Sequence, residues 1–111
     1  MNIRLNKYLS DILESIACID EFTGKTKRFE NYEVSKMMQA AVERHIEIIG
    51  EATKHLLELN PEIEITNARK IINTRNKIAH GYDEIENSEI WNIIINHLPK
   101  LKLEAETLLN K

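Results

Sequence analysis

Apolar residues recurring three and four apart, with little to interrupt them, constrain this chain more than any other feature of its sequence. Leu5, Leu9, Ile12, Leu13, Ile16 and Ile19 follow that interval, which places them on one face of a helix turning about 100° per residue. Only three glycines and two prolines occur in 111 residues, so breaks are few and the elements are expected to be long. The spacing predicts a first helix from about Asn2 to Phe22, ended by Thr23-Gly24-Lys25.

Val34, Met38, Ala41, His45, Ile48, Ala52, Leu56 and Leu59 continue the pattern, with Ile49 widening the stripe. They predict a second, long helix that stops at Asn60-Pro61, because a proline ring disfavours helical geometry in the preceding residue. Gly50 lies inside it, where a missing side chain costs about 1 kcal/mol against alanine but admits another backbone closely. Ala68, Ile71, Ile72, Ile78 and Ala79 share a side of a third helix, capped by Thr66 or Asn67 and closed by Gly81. Asn87-Ser88-Glu89 offers a further cap, and Trp91, Ile94, Leu98, Leu101, Ala105 and Leu108 give the cleanest stripe. Pro99 predicts a kink near His97.

Without alternating β-branched stretches, this pattern predicts an all-α antiparallel bundle of four main helices, with room for short extra ones, as one domain over residues 1–111. A helical domain this small often completes its core by pairing, so a homodimer is expected. The lone Cys18 makes no internal disulfide and no leader-like segment opens the chain, which reads as cytoplasmic. No apolar run approaches the ~20 residues of a membrane helix, so no membrane partner is expected. Net charge is -3, with 18 acidic against 15 basic residues, which argues against a generic nucleic-acid coat but not against a local basic groove. Lys25, Lys27 and Arg28 form one basic cluster; Arg69, Lys70, Arg75 and Lys77 form another.

Arg75 departs from the pattern, because it lies four residues after Ile71 and four before Ala79 on a row of apolar side chains. A buried guanidinium must meet a carboxylate or face a wet cleft. His80 lies roughly 140° around an ideal helix from Arg75, so the two do not stack along one ridge. Either the helix frays before Gly81 and swings His80 toward Arg75, or two chains bring their segments together at a symmetry axis. Such a cavity suits RNA cleavage without metal. An imidazole with a pKa near ~6.5 takes the proton of a ribose 2′-hydroxyl, and arginine binds the phosphate as charge builds. Tyr82 adds a phenol that can touch phosphate or accept a modification. By spacing alone, an Arg and a His near a helix end are more often a salt-bridged residue and a dipole partner.

Glu43, Glu47 and Glu51 form an i,i+4 column that either holds Arg75 or Arg69 or is simply a solvated face. Glu51 and His55 make half a metal site with no matching half, so neither metal nor cofactor is expected. Gly-rich phosphate loops are missing.

Arg75-Asn76-Lys77-Ile78-Ala79-His80-Gly81-Tyr82 resembles the signature of the HepT-like toxins of the HEPN superfamily. The resemblance extends over most of the chain after about residue 36, through Ala41-Val42-Glu43-Arg44, Glu47-Ile48-Ile49-Gly50-Glu51-Ala52, Asn60-Pro61, Ile90-Trp91 and Leu98-Pro99. It implies a dimeric HEPN-type bundle with both Arg-x4-His segments lining one cleft. It also implies a metal-independent endoribonuclease, the toxin of a type VII pair, neutralised by a minimal nucleotidyltransferase antitoxin that adenylylates Tyr82. On that resemblance Arg75 binds phosphate, His80 is the general acid/base and Asn76 a supporting polar residue. Asp83 departs from the pattern, placing an anion where relatives often carry an aromatic or apolar residue. The competing expectation is a catalytically weak module that binds a nucleotide or a nucleotidyltransferase partner; a purely structural dimer would leave Arg75 unexplained.

Overall fold

Residues 2–81 and 85–111 are described by the computed structural model. Among them all regular structure is helical: α1 (Ile3–Thr23), α2 (Phe29–Glu33), α3 (Lys36–Leu59), α4 (Ala68–Ala79), α5 (Asn87–Asn92), a π turn (Ile93–His97) and α6 (Leu98–Leu109). This is the all-α bundle that the spacing predicts. α1 packs on α3 and α6, and α3 also packs on α4. Tyr82, Asp83 and their expected roles lie outside the described residues.

α1 starts where Asn2 Oδ1 accepts the Leu5 N–H at 3.0 Å, supplying one of the acceptors that a helix start lacks. Leu9, Ile12, Ile16 and Ile19 are fully buried, as their spacing requires. Gly24, at φ 79°, ends the helix with its N–H on the Asp20 carbonyl, a backbone conformation that suits glycine.

α3 starts similarly, with Ser35 Oγ accepting from the Met38 N–H at 3.1 Å. Its buried row is Val42, Ile46, Ile49, Ala52 and Leu56, whereas Ala41, His45 and Ile48 of the expected row are only half-buried. The first half of the helix is turned by about one residue from the simplest reading of its stripe, while Ile49, Ala52 and Leu56 are buried as expected. The reason is packing on two sides: α4 closes on Gly50 and Thr53, both buried, and draws that side inward. Val34 lies ahead of α3 and is 82% exposed, so it does not begin the stripe.

Short α2 was not legible in the spacing. It carries Tyr32, which is fully buried, with its ring centroid 5.7 Å from that of Trp91. Gln39 Nε2 donates to the carbonyls of Tyr32 and Glu33, both at 3.0 Å, and so ties α2 to the start of α3.

Neither Thr66 nor Asn67 caps α4 as expected. Asn67 makes no capping bond with its side chain, and Thr66 is turned onto Glu104, whose carboxylate accepts its Oγ1–H at 2.6 Å and its N–H at 3.1 Å. Ala68, Ile71 and Ile72 are buried, but Ala79 is exposed rather than in the core. α5 also lacks a side-chain cap; Ser88 Oγ donates to Glu86 Oε2 at 3.3 Å instead.

The kink expected near His97 takes the form of the π turn. Pro99 has no N–H to give the Ile95 carbonyl, and its ring would crowd that oxygen in a regular helix. A wider turn upstream relieves the conflict, with the Leu98 N–H reaching back five residues to the Ile93 carbonyl. Ile94, Leu98, Leu101 and Ala105 stay buried across it.

Candidate active site

Gly50 on α3 sets the position of Arg75 on α4. A Cβ built at Gly50 would overlap Arg75 Cβ, lie 2.6 Å from Arg75 Cγ and 3.4 Å from the Ile71 carbonyl oxygen. Only glycine fits, so α3 and α4 meet backbone to side-chain root, and the guanidinium emerges beside the next residue of α3. That residue is Glu51, whose Oε2 lies 2.6 Å from Arg75 Nη2. Of the two readings of the acidic column, the one in which it holds Arg75 is realised.

The guanidinium is fixed a second time by its own helix, because Nη1 donates to Asn76 Oδ1 at 3.0 Å. The contact with Glu51 is ionic rather than a well-aimed hydrogen bond: Glu51 Oε2 and Arg75 Nε are both buried atoms with no hydrogen-bond partner among the described residues. Arg75 and Glu51 side chains nevertheless retain 22% and 41% of their exposure, so the pair borders water rather than lying in a dry core. They line an open cleft of about 260 Å³ together with Tyr8, Asp11, Arg44 and Glu47. A larger cavity of about 530 Å³, between the loop before α4 and the end of α6, includes neither Arg75 nor His80.

His80 is the residue on which α4 ends, at φ -89° and ψ 0°. Its N–H and its ring both reach the Asn76 carbonyl, at 3.0 Å and 2.8 Å. A carbonyl oxygen only accepts, so Nδ1 carries the proton and the lone pair of the neutral ring belongs to Nε2. Gly81, at φ 66°, then turns the chain away, its N–H on the Ile78 carbonyl at 3.1 Å. The helix therefore stays wound to Ala79, and the fraying offered as one route from His80 to Arg75 does not occur. Asn76 links them instead, receiving Arg75 on its side-chain oxygen and His80 on its main-chain oxygen.

One cation of each basic cluster is already committed. Lys77 Nζ lies 3.0 Å from Glu89 Oε2 on α5. Lys27, from the other basic cluster, meets Asp20 Oδ1 at 3.0 Å and donates to Thr23 Oγ1 at 2.7 Å.

His55 and Tyr8 join the site unannounced. His55 Nε2 lies 3.1 Å from Glu51 Oε1 and its Nδ1 3.1 Å from Glu58 Oε1; its ring stacks on Tyr8 at 4.8 Å with 17° between planes. The i,i+4 spacing of Glu51 and His55 was visible in the sequence as a fragment of a metal site. No local signal marks Tyr8, which arrives from α1. Among the described residues no three His, Cys, Asp or Glu side chains are grouped to hold a metal ion, and no helix is long and apolar enough to cross a membrane.

Over residues 12–108 the chain matches the family model described as Ribonuclease HepT-like. A protein of Thermococcus cleftensis named "Probable ribonuclease HepT" is 37% identical over 105 residues, spanning 91% of this chain and 92% of that one. A Methanocaldococcus jannaschii protein named "Putative RNase" is 33% identical over 100 residues, spanning 89% of this chain and 91% of that one. A longer protein of the same organism, "Gamma-glutamylcyclotransferase and putative RNase", is 37% identical over 98 residues, which are 87% of this chain and 44% of that protein. No solved structure is significantly similar to the chain.

Proposed function

The chain belongs to the ribonuclease HepT-like family, and we propose that it is an endoribonuclease that cleaves RNA without a metal ion through Arg75 and His80. The observation that carries this reading is the double role of Asn76, which fixes Arg75 through its side chain and His80 through its carbonyl. His80 Nε2 takes the proton of a ribose 2′-hydroxyl, the 2′-oxygen attacks the adjacent phosphorus, and Arg75 binds the non-bridging oxygens as their charge grows. The 5′-oxygen leaves with a proton from an imidazolium, supplied by a second copy in a paired cleft. The products are a 2′,3′-cyclic phosphate and a 5′-hydroxyl.

The same reading places residues 1–111 as one domain of a homodimer with both Arg-x4-His segments on one cleft, acting in the cytoplasm. Its control falls to a minimal nucleotidyltransferase antitoxin of the type VII kind, which adenylylates Tyr82. AMP there would bring negative charge and bulk next to Gly81 and His80 and oppose RNA entry. Purified chain incubated with transfer RNA and total RNA in EDTA tests the chemistry. Cleavage with cyclic-phosphate ends that disappears in His80→Ala is expected; no cleavage, or cleavage that survives the substitution, refutes it.

A second reading is favoured by one contact. Arg75 already faces Glu51, so a chain that binds a nucleotide or its nucleotidyltransferase partner while cutting RNA weakly fits the same cleft. Tight complex formation without growth arrest on expression of the chain alone would select it.

A further inference from the structure

Glu51 occupies the side of Arg75 that an incoming phosphate would use. Two nitrogens of the guanidinium are engaged, Nη1 by Asn76 and Nη2 by Glu51, yet among the described residues the buried Nε has no hydrogen-bond partner and Glu51 Oε2 is equally unsatisfied. Charge is balanced while hydrogen bonding is not, and an unsatisfied buried N–H is costly to a folded chain. The Nε–Nη2 edge is the fork that arginine offers to phosphate in two parallel hydrogen bonds.

Glu51 is itself held from behind. Its other oxygen, Oε1, lies 3.1 Å from His55 Nε2, and the His55 ring is fixed by stacking on Tyr8 and by Glu58 on its far nitrogen. If a phosphate takes the Nε–Nη2 edge, Glu51 keeps a partner in His55 and the phosphate gains one in Arg75. Asp11 and Glu47, with Arg44 as the remaining cation, line the same cleft, so its formal charge without Glu51 is balanced and with Glu51 is negative.

We propose that Glu51, oriented by His55, is the positioning residue for Arg75: it holds the guanidinium at the cleft and stands in for the anion, so that an RNA phosphate binds by displacing it. This rests on reading Arg75 as the phosphate-binding group. Glu51→Gln keeps an oxygen near Nη2 but removes the competing charge.

The test is the affinity of the full chain for a 2′-O-methyl oligoribonucleotide, which cannot be cleaved, alongside kcat and KM on the matching RNA. Glu51→Gln is expected to tighten binding by about threefold or more, the lower end of measured couplings between touching residues, with the helical fold retained by circular dichroism. The gain is read as a lower KM rather than a higher kcat, because Glu51 has already left the guanidinium once phosphate is bound. The gain in binding disappears in Arg75→Ala, and His55→Phe, which keeps an aromatic ring for Tyr8 but removes the partner of the displaced Glu51, weakens binding. Binding that is unchanged or weakened in Glu51→Gln overturns the inference, as does a gain that persists without Arg75 or an absence of binding by every variant. A parent chain that binds the oligonucleotide but cuts no RNA refutes the ribonuclease reading and leaves the affinity comparison to decide this one.

Discussion

Replacing Gly50 with alanine separates local helix preference from tertiary packing, because the two predict opposite signs. Alanine is better than glycine in a helix interior by about 1 kcal/mol, so an unpacked Gly50 would make the substitution stabilising by that amount. The added methyl instead overlaps Arg75 Cβ and comes within 2.6 Å of Arg75 Cγ. The nearest atom is the root of a side chain, fixed by the α4 backbone, so a rotamer change does not clear it. α3 and α4 must move apart over the stretch where Ile46, Ile49 and Ile71 are buried. Overpacking of a close-packed interior costs about 1–3 kcal/mol, and this overlap belongs at the upper end of that range. Subtracting the helix preference leaves a net loss of about 2 kcal/mol. Urea unfolding followed by circular dichroism measures it, as a lower midpoint at unchanged slope. The same displacement moves the guanidinium away from Glu51 on α3, and a shift of about 1 Å in a catalytic group can cost 100-fold in rate. A Gly50→Ala chain that gains about 1 kcal/mol and cuts RNA as before would refute the close-approach reasoning.

Two further outcomes follow from buried polar groups outside the cleft. The Tyr32 hydroxyl is buried without a hydrogen-bond partner among the described residues, and burial followed by the Glu43 charge pushes the phenol above its ordinary range; Tyr32→Phe should change stability by less than about 1 kcal/mol in thermal unfolding, and a larger loss would mean that the hydroxyl is bonded. Burial, then the charge of Lys70, holds the His97 imidazole below its ordinary 6.5. The unfolded chain therefore binds its proton first, and the stability linked to His97 is complete above pH 6.5 and lost as pH falls through the folded value. His97→Gln should flatten the dependence of the urea midpoint on pH below about 6.5, and an unaltered slope would remove His97 as its source.

The sequence made the long elements legible because each carries enough turns to repeat its stripe. α1 and the last helix follow their apolar residues closely, and Asn60-Pro61 and Gly81 mark real endings. α2 was illegible because five residues complete little more than one turn, too few to display a period, although Tyr32 is among the largest buried side chains. The first half of α3 was read one residue out of phase because the helix packs on two neighbours and its apolar face is broad. Within the site, Arg75 stood out as a charge on an apolar row, and Glu51 was already one of its candidate partners. Tyr8 did not stand out as a site residue, since its meeting with His55 depends on how α1 lies against α3, and no local spacing records that. The link through Asn76 was equally hidden: it uses a main-chain oxygen, which every residue possesses.

The π turn ahead of Pro99 also bears on how this chain tolerates change in length. A π turn is an α-helix holding one residue too many, wound wide enough to lose the surplus before the next turn begins. Ile90 ahead of it and Leu101 beyond it both point inward because the widening absorbs the excess. Shortening residues 93–97 by one would return the segment to ordinary winding with both flanks still facing the core, whereas a deletion in the middle of α3 would swing everything beyond it by about 100°. The bulge is thus a spare link, and the same interior can be carried by this chain with one residue fewer at that turn.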